Sequence, residues 1–368
     1  MVRGTYDLTI TDLQQLLGRT DLATAQRDRA RFLLALNLYQ VGRESDARTG
    51  FGELQQSPPA DARLASEAAR YSTALTDRTS PQAVLCQHER ALRWRDTGGH
   101  QDLAWKQWHS IRELANGPQF QSYLESSEVP VEDRATARLA VATLYFELSE
   151  FAKAVNNAQL AIDLIAPRTA GTEPIQPPLS EALPVGESRP VTVHFPQLPP
   201  LQGPQPSMGK LTQYCAISTQ VHDSRIYASP AATSALFLIA HHAWHCGHHC
   251  HAVPLFRAFI ERAPADSEWL PPAYVELGMA LESAQDYLGA ALLADEFIIL
   301  HPDRKEARDL AAQRNRILLD QGDALSLTYK NGRGKLLARL KQTAPAQAGR
   351  SPDDTAPAQP DRIAKAGN

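Results

Sequence analysis

Cysteine is scarce: four residues in a chain of 368, at positions 86, 215, 246 and 250. Neither the number nor the spacing suits the disulfide framework of a small secreted domain, so reduced thiols in a cytoplasm are the expectation. Long apolar runs are absent too. No segment approaches the roughly 18 residues a membrane span needs, and "MVRGTYDLTITDLQQLLGR" has no apolar core of an export signal. A soluble, cytoplasmic protein with no integral membrane segment is expected. Charge of one sign is not in excess, since 37 Lys and Arg face 41 Asp and Glu. That balance argues against nucleic acid as a partner. Catalytic signatures are missing: "NGRGK" lacks the frame and the Ser or Thr of a phosphate loop, and neither Gly-x-Ser-x-Gly nor His-Glu-x-x-His occurs. The chain does not read as an enzyme.

What is present is helix after helix. In "ARFLLALNLYQVGRESDARTGFGEL" the apolar residues at 32, 33, 34, 36 and 38 stop at Gly42, and a second apolar face resumes at Ala47 and Phe51. That is one helical hairpin. Similar stretches start at Ala137, Ala235 and Ala273, and self-similarity on this scale implies an array of stacked units. Small residues where two helices meet let them approach closely, and large ones further along pack on the next hairpin.

These segments resemble the tetratricopeptide repeat, a pair of antiparallel helices roughly 34 residues long. The unit from Thr233 supplies Ala235, Ala240, Gly247, Ala252, Phe256, Phe259 and Pro264; the one from Pro271 supplies Ala273, Gly278, Ala290, Ala294, Phe297 and Pro302. Units from Asp28 and Ala135 follow the same pattern. A fifth, Leu85 to Pro118, keeps Gly99, Ala104 and Trp108 but has Arg95 where an apolar residue belongs. The resemblance implies an all-α, superhelical array of antiparallel hairpins and, for function, protein binding.

Eleven of the 26 prolines fall between Pro167 and Pro206, which excludes helix there. The stretch reads either as a solvated linker or as a segment docked on its own helices, and only "VTVHF" at 191–195 suits a strand. The expected organisation is a helical block over 1–166, a Pro-rich excursion over 167–230, a second block with a capping helix over 231–341, and a disordered tail over 342–368. The basic stretch "KNGRGKLLARLK" reads as a solvated helix end or as a contact for an acidic partner.

In the tetratricopeptide family the first helix of each hairpin lines a concave surface. Carried onto this chain, the lining positions hold Phe32 and Tyr39, Leu139 and Phe146, then Phe237, His241, Trp244 and His245. Such a groove is apolar and aromatic and suits an amphipathic helix or an extended apolar peptide of another protein. The alternative is that these aromatics complete packing between units.

Six of the 12 histidines and two cysteines crowd into residues 241–251. His241 and His245 share one helix face, and His242 with Cys246 forms a second pair turned about 100° from it. A tetrahedral zinc site would draw on Cys246 and Cys250 with His242, His245 or His249. The alternatives are a metal-binding module that shapes partner binding, or the exposed end of an ordinary hairpin with no cofactor.

Overall fold

The computed structural model describes residues 2–96, 101–167 and 220–348. Among them the chain is all-α, with neighbouring helices packed in pairs and no strand. Gly99, "VTVHF" and most of the Pro-rich stretch lie outside the described residues. The chain divides into two compact units, Met1–Trp269 and Leu270–Asn368.

The first unit runs α1 (Val2–Leu17), α2 (Thr24–Gln40), α3 (Glu44–Gln56), α4 (Ala62–Thr76), α5 (Pro81–Asp96), α6 (Gln101–Ala115), α7 (Pro118–Glu125), α8 (Val131–Glu147), α9 (Phe151–Ile165), α10 (Ser224–Ala228), α11 (Pro230–His245) and α12 (His249–Arg262). The second holds α13 (Leu270–Ser283), α14 (Tyr287–Leu300) and α15 (Glu306–Ala348). None of these helices is long and apolar enough to cross a membrane.

Four hairpins, α2/α3, α8/α9, α11/α12 and α13/α14, are closed by the same turn. The turn residue is left-handed in each: Gly42 (φ 83°), Ser149 (φ 59°), Gly247 (φ 76°) and Gln285 (φ 63°). The amide after it reaches back to the carbonyl five residues earlier, Arg43 to Leu38, Glu150 to Tyr145, His248 to Ala243 and Asp286 to Leu281, at 2.8–2.9 Å. This 6→1 bond takes up carbonyls that a helix end otherwise leaves bare. Small residues lie on both helices of each pair, either side of the turn: Ala35 and Ala47, Ala142 and Ala154, Ala240 and Ala252, Gly278 and Ala290, all buried. The large residues that follow, Phe51, Leu54, Phe256, Phe259 and Phe297, are buried as well. Each contributes about 1.5–3 kcal/mol by leaving water.

Arg95, the misfit at an apolar position, is an ion-pair anchor: its guanidinium meets Glu147 at the end of α8 and Asp96 at 2.7 Å.

Helices before and after the Pro-rich stretch belong to one compact unit, Met1–Trp269. Gln220 donates through Nε2 to the Ala166 carbonyl and to Asp163, each at 2.8 Å, and accepts from Gln159 at 2.8 Å. The two ends of the excursion therefore meet. Beyond it α11 packs directly on α8 and α9, with Ser229 Oγ donating to Glu132 Oε1 at 2.8 Å and rings of Phe146 and Phe151 against His241 and His242. The boundary between units falls after Trp269. Replacing residues 168–219 by a four-residue Gly/Ser bridge is expected to preserve the helical circular dichroism and raise stability by about 2 kcal/mol, because a loop of about 50 residues costs more closure entropy than a short one. A melting temperature that falls instead would mean that the excursion packs on the helices.

In the second unit α15 is interrupted at Gly322 (φ 74°, ψ −165°), a backbone state open essentially to glycine. Both halves are tied to α14. Asp295, 1% exposed, receives Arg314 from before the break, then the Tyr329 hydroxyl and Arg333 Nε (2.9 Å) from after it. Arg339 meets Glu296 at 2.7 Å. Two of the basic residues read as a solvated end or partner contact thus bind α14. The helix continues through Ala348, past the point where the sequence suggested a tail; residues 349–368 lie outside the described residues.

Candidate functional site

The eight groove residues expected from sequence fall into two clusters in the first unit. At the junction of α8 and α11, the His241 ring lies 5.1 Å from Phe146, 6.0 Å from Phe237 and 4.2 Å from His245, and Trp244 lies 4.4 Å from His245. Phe237 is buried among Phe256, Phe259 and Trp269, so its ring belongs to the core and not to a groove wall. Leu139 is half-buried on α8, two turns before Phe146. Burial and the nearby His241 push His245 down to about 4, so this imidazole is neutral at pH 7.

Of the residues offered for a zinc site, the four with described side chains, His242, His245, Cys246 and His249, form no group of three placed to hold an ion. His242 Nε2 lies 3.4 Å from Cys246 Sγ, while His245 turns to His241 and Trp244 on another face. His249 sits beyond the turn with its Nδ1 buried, and the side chain of Cys250 lies outside the described residues. Among the described residues no group of three or more His, Cys, Asp or Glu is placed to hold an ion.

The second cluster is a cleft of about 820 Å³ between α2, α4 and α5. Down α2 run Arg29, Phe32, Leu33 and Leu36, one face at helical spacing. Leu33 is 38% exposed, and Phe32 is half-buried against Phe51 and Tyr71 at 5.7 and 6.4 Å. Tyr39, expected beside Phe32, is instead buried under the Arg90 guanidinium, 4.6 Å above its ring. Facing this strip, α4 contributes Arg63, Leu64, Glu67, Arg70 and Tyr71, and α5 contributes Glu89 and Arg93.

The polar floor of the cleft is fully engaged. Arg70 forks onto Glu89 at 2.7 and 3.0 Å and onto Glu67 at 2.6 and 3.2 Å, while the Tyr71 hydroxyl donates to Glu89 at 2.8 Å. Burial alone would raise the Glu89 carboxyl, but the hydrogen bonds and charge of Arg70, with help from Tyr71, hold it below the usual carboxylate range. Burial and the Glu89 charge push the Tyr71 phenol well above its ordinary value, so it remains a donor. An ionised carboxylate locked between an arginine and a phenol is a fixed platform and a poor proton carrier.

The chain matches no known protein family, no curated protein and no solved structure. The cleft's own chemistry is what indicates a use.

Of this cleft, sequence reasoning found Phe32 alone. The α4 residues were missed because the apolar face of "ARLASEAARYSTALT" is built largely of small Ala side chains among polar ones. The signal was present: Asp61 caps the helix by accepting from the amides of Arg63 and Leu64, and Ala68, Tyr71 and Leu75 then recur at helical spacing.

Proposed function

We propose that the protein is a non-enzymatic interaction scaffold, seating an apolar helix or extended peptide of a partner protein in the cleft between α2, α4 and α5. The observation that carries this reading is the open strip Phe32, Leu33 and Leu36 above a floor whose charges are already paired. Such a surface gives apolar anchors a dry seat and leaves no buried floor charge to be desolvated without a partner. The tetratricopeptide resemblance adds support, since it places Phe32 among the residues of a hairpin's first helix that face ligand.

Leu33 offers the cleanest test because it is exposed enough to change without disturbing the core. The full chain, immobilised, is panned against a random displayed-peptide library, and enriched peptides are titrated against variants. Leu33→Asp is expected to weaken them at least about tenfold with an unchanged circular dichroism spectrum, as loss of an anchor contact does. Trp105→Asp, at an exposed site on α6 outside the cleft, is expected to leave them bound. The reverse pattern would remove the cleft from consideration.

A further inference from the structure

We propose that the occupant of this cleft carries an Asp or Glu side chain about one helical turn from its apolar anchor, recognised by Arg29 and Arg63. The proposal rests on the cleft being the binding surface and adds the chemistry of what binds there.

It follows from which charges around the cleft are left without a partner. The Arg70 donors are engaged by Glu67 and Glu89. Glu89 also receives the Tyr71 hydroxyl, and Asp61 Oδ1 accepts two amides at the start of α4, from Arg63 at 2.9 Å and Leu64 at 3.3 Å. Two guanidinium groups remain. Arg29 and Arg63 are exposed, and neither side chain makes an ion pair or hydrogen bond among the described residues. The one carboxylate in the lining that is likewise unengaged is Asp28, half-buried on α2. Unsatisfied donors therefore outnumber unsatisfied acceptors, and Arg93, one turn along α5 from Glu89, adds positive charge to the same cleft.

Position matters as much as sign. Arg29 lies one turn before Leu33 on the same face of α2, about 6 Å along the helix. Arg63 stands in the first turn of α4, where the helix N-terminus itself favours negative charge. Both guanidinium groups thus lie toward the end of the cleft at which α2 and α4 begin, beside the apolar strip. A carboxylate placed there meets planar donors that match it bidentately, whereas a lysine would meet like charge, opposed at this end by Asp28 and by Asp61, which is already bound to the α4 amides.

The test uses the same full-chain panning, with displayed peptides fused through their C-termini so that no free terminal carboxylate is offered. Peptides that depend on Leu33 are expected to carry Asp or Glu within about four residues of a large apolar side chain. The double variant Arg29→Glu with Arg63→Glu is expected to weaken them about tenfold, and changing the peptide's acid to Lys is expected to restore binding to that variant. Circular dichroism of the double variant should match the parent, since both side chains are exposed. Peptides that need Leu33 but show no acidic preference, or are indifferent to the charge reversal, would overturn this inference while leaving the cleft as the binding surface. Absence of any Leu33-dependent peptide would overturn both.

Discussion

Replacing Asp295 by alanine is expected to destabilise the second unit by about 3 kcal/mol or more, the cost typical of removing one partner from a buried ion pair. The carboxylate is 1% exposed and receives Arg314, Arg333 and the Tyr329 hydroxyl, so its loss strands the largely buried Arg314 guanidinium and the Tyr329 hydroxyl. The donors come from both sides of the break at Gly322, and the loss should therefore loosen α15 as a whole. Hydrogen exchange reads this directly: amides over 306–340 should exchange faster in the variant, while those of α2–α5 keep their protection. Asp295→Asn retains an acceptor for Tyr329 and should lie between the two. Unchanged exchange over α15 in the alanine variant would show that packing of Leu336 and Tyr329 suffices without the carboxylate.

Acid should destabilise the first unit through His88. This side chain is buried on α5 with its Nε2 unbonded, and burial pushes it down to about 4, with Glu89 opposing and Arg95 adding to the shift. The unfolded chain binds the proton near 6.5, so between that pH and about 4 the unfolded state holds a proton the folded state refuses. Stability from this group is complete above about 6.5, declines as pH falls, and levels out below about 4. The loss at pH 4.5 is about 2 to 3 kcal/mol. His245, also held near 4, acts in the same direction. Denaturant titrations at pH 7 and 4.5 on the parent and on His88→Leu isolate this contribution: the parent should lose more than the variant by that amount. Equal losses would mean the imidazole gains a counter-charge or water on acidification.

The hairpins were legible because their signals are local. Gly42 and Gly247 mark left-handed turns in the sequence, and the small residues flanking them mark where helices touch. Ser149 and Gln285 adopt the same backbone with no glycine to announce it, and there the flanking small residues carried the information. The cleft was far less legible. The tetratricopeptide resemblance implies that Phe32, Tyr39 and Phe237 line a groove, but which of them stays open depends on what lands on that face, and Arg90 and Trp269 arrive from elsewhere in the chain. The histidine faces were legible, since helical spacing alone turns His242 and Cys246 away from His241 and His245. The closure of the excursion was invisible because it depends on Gln220 meeting a carbonyl 54 positions earlier.

The paired floor beneath the cleft has a consequence for rates and entropy. Arg70, Tyr71, Glu67 and Glu89 hold one another in place by their own hydrogen bonds, so a peptide seated there as proposed would find that surface preorganised. On that proposal the ordering cost of association would fall on the rim, on the exposed side chains of Arg29 and Arg63. Selectivity and affinity would then be divided between two sets of side chains: an interlocked seat that accepts many apolar anchors, and two exposed arginines that give up conformational freedom only for a partner able to hold them.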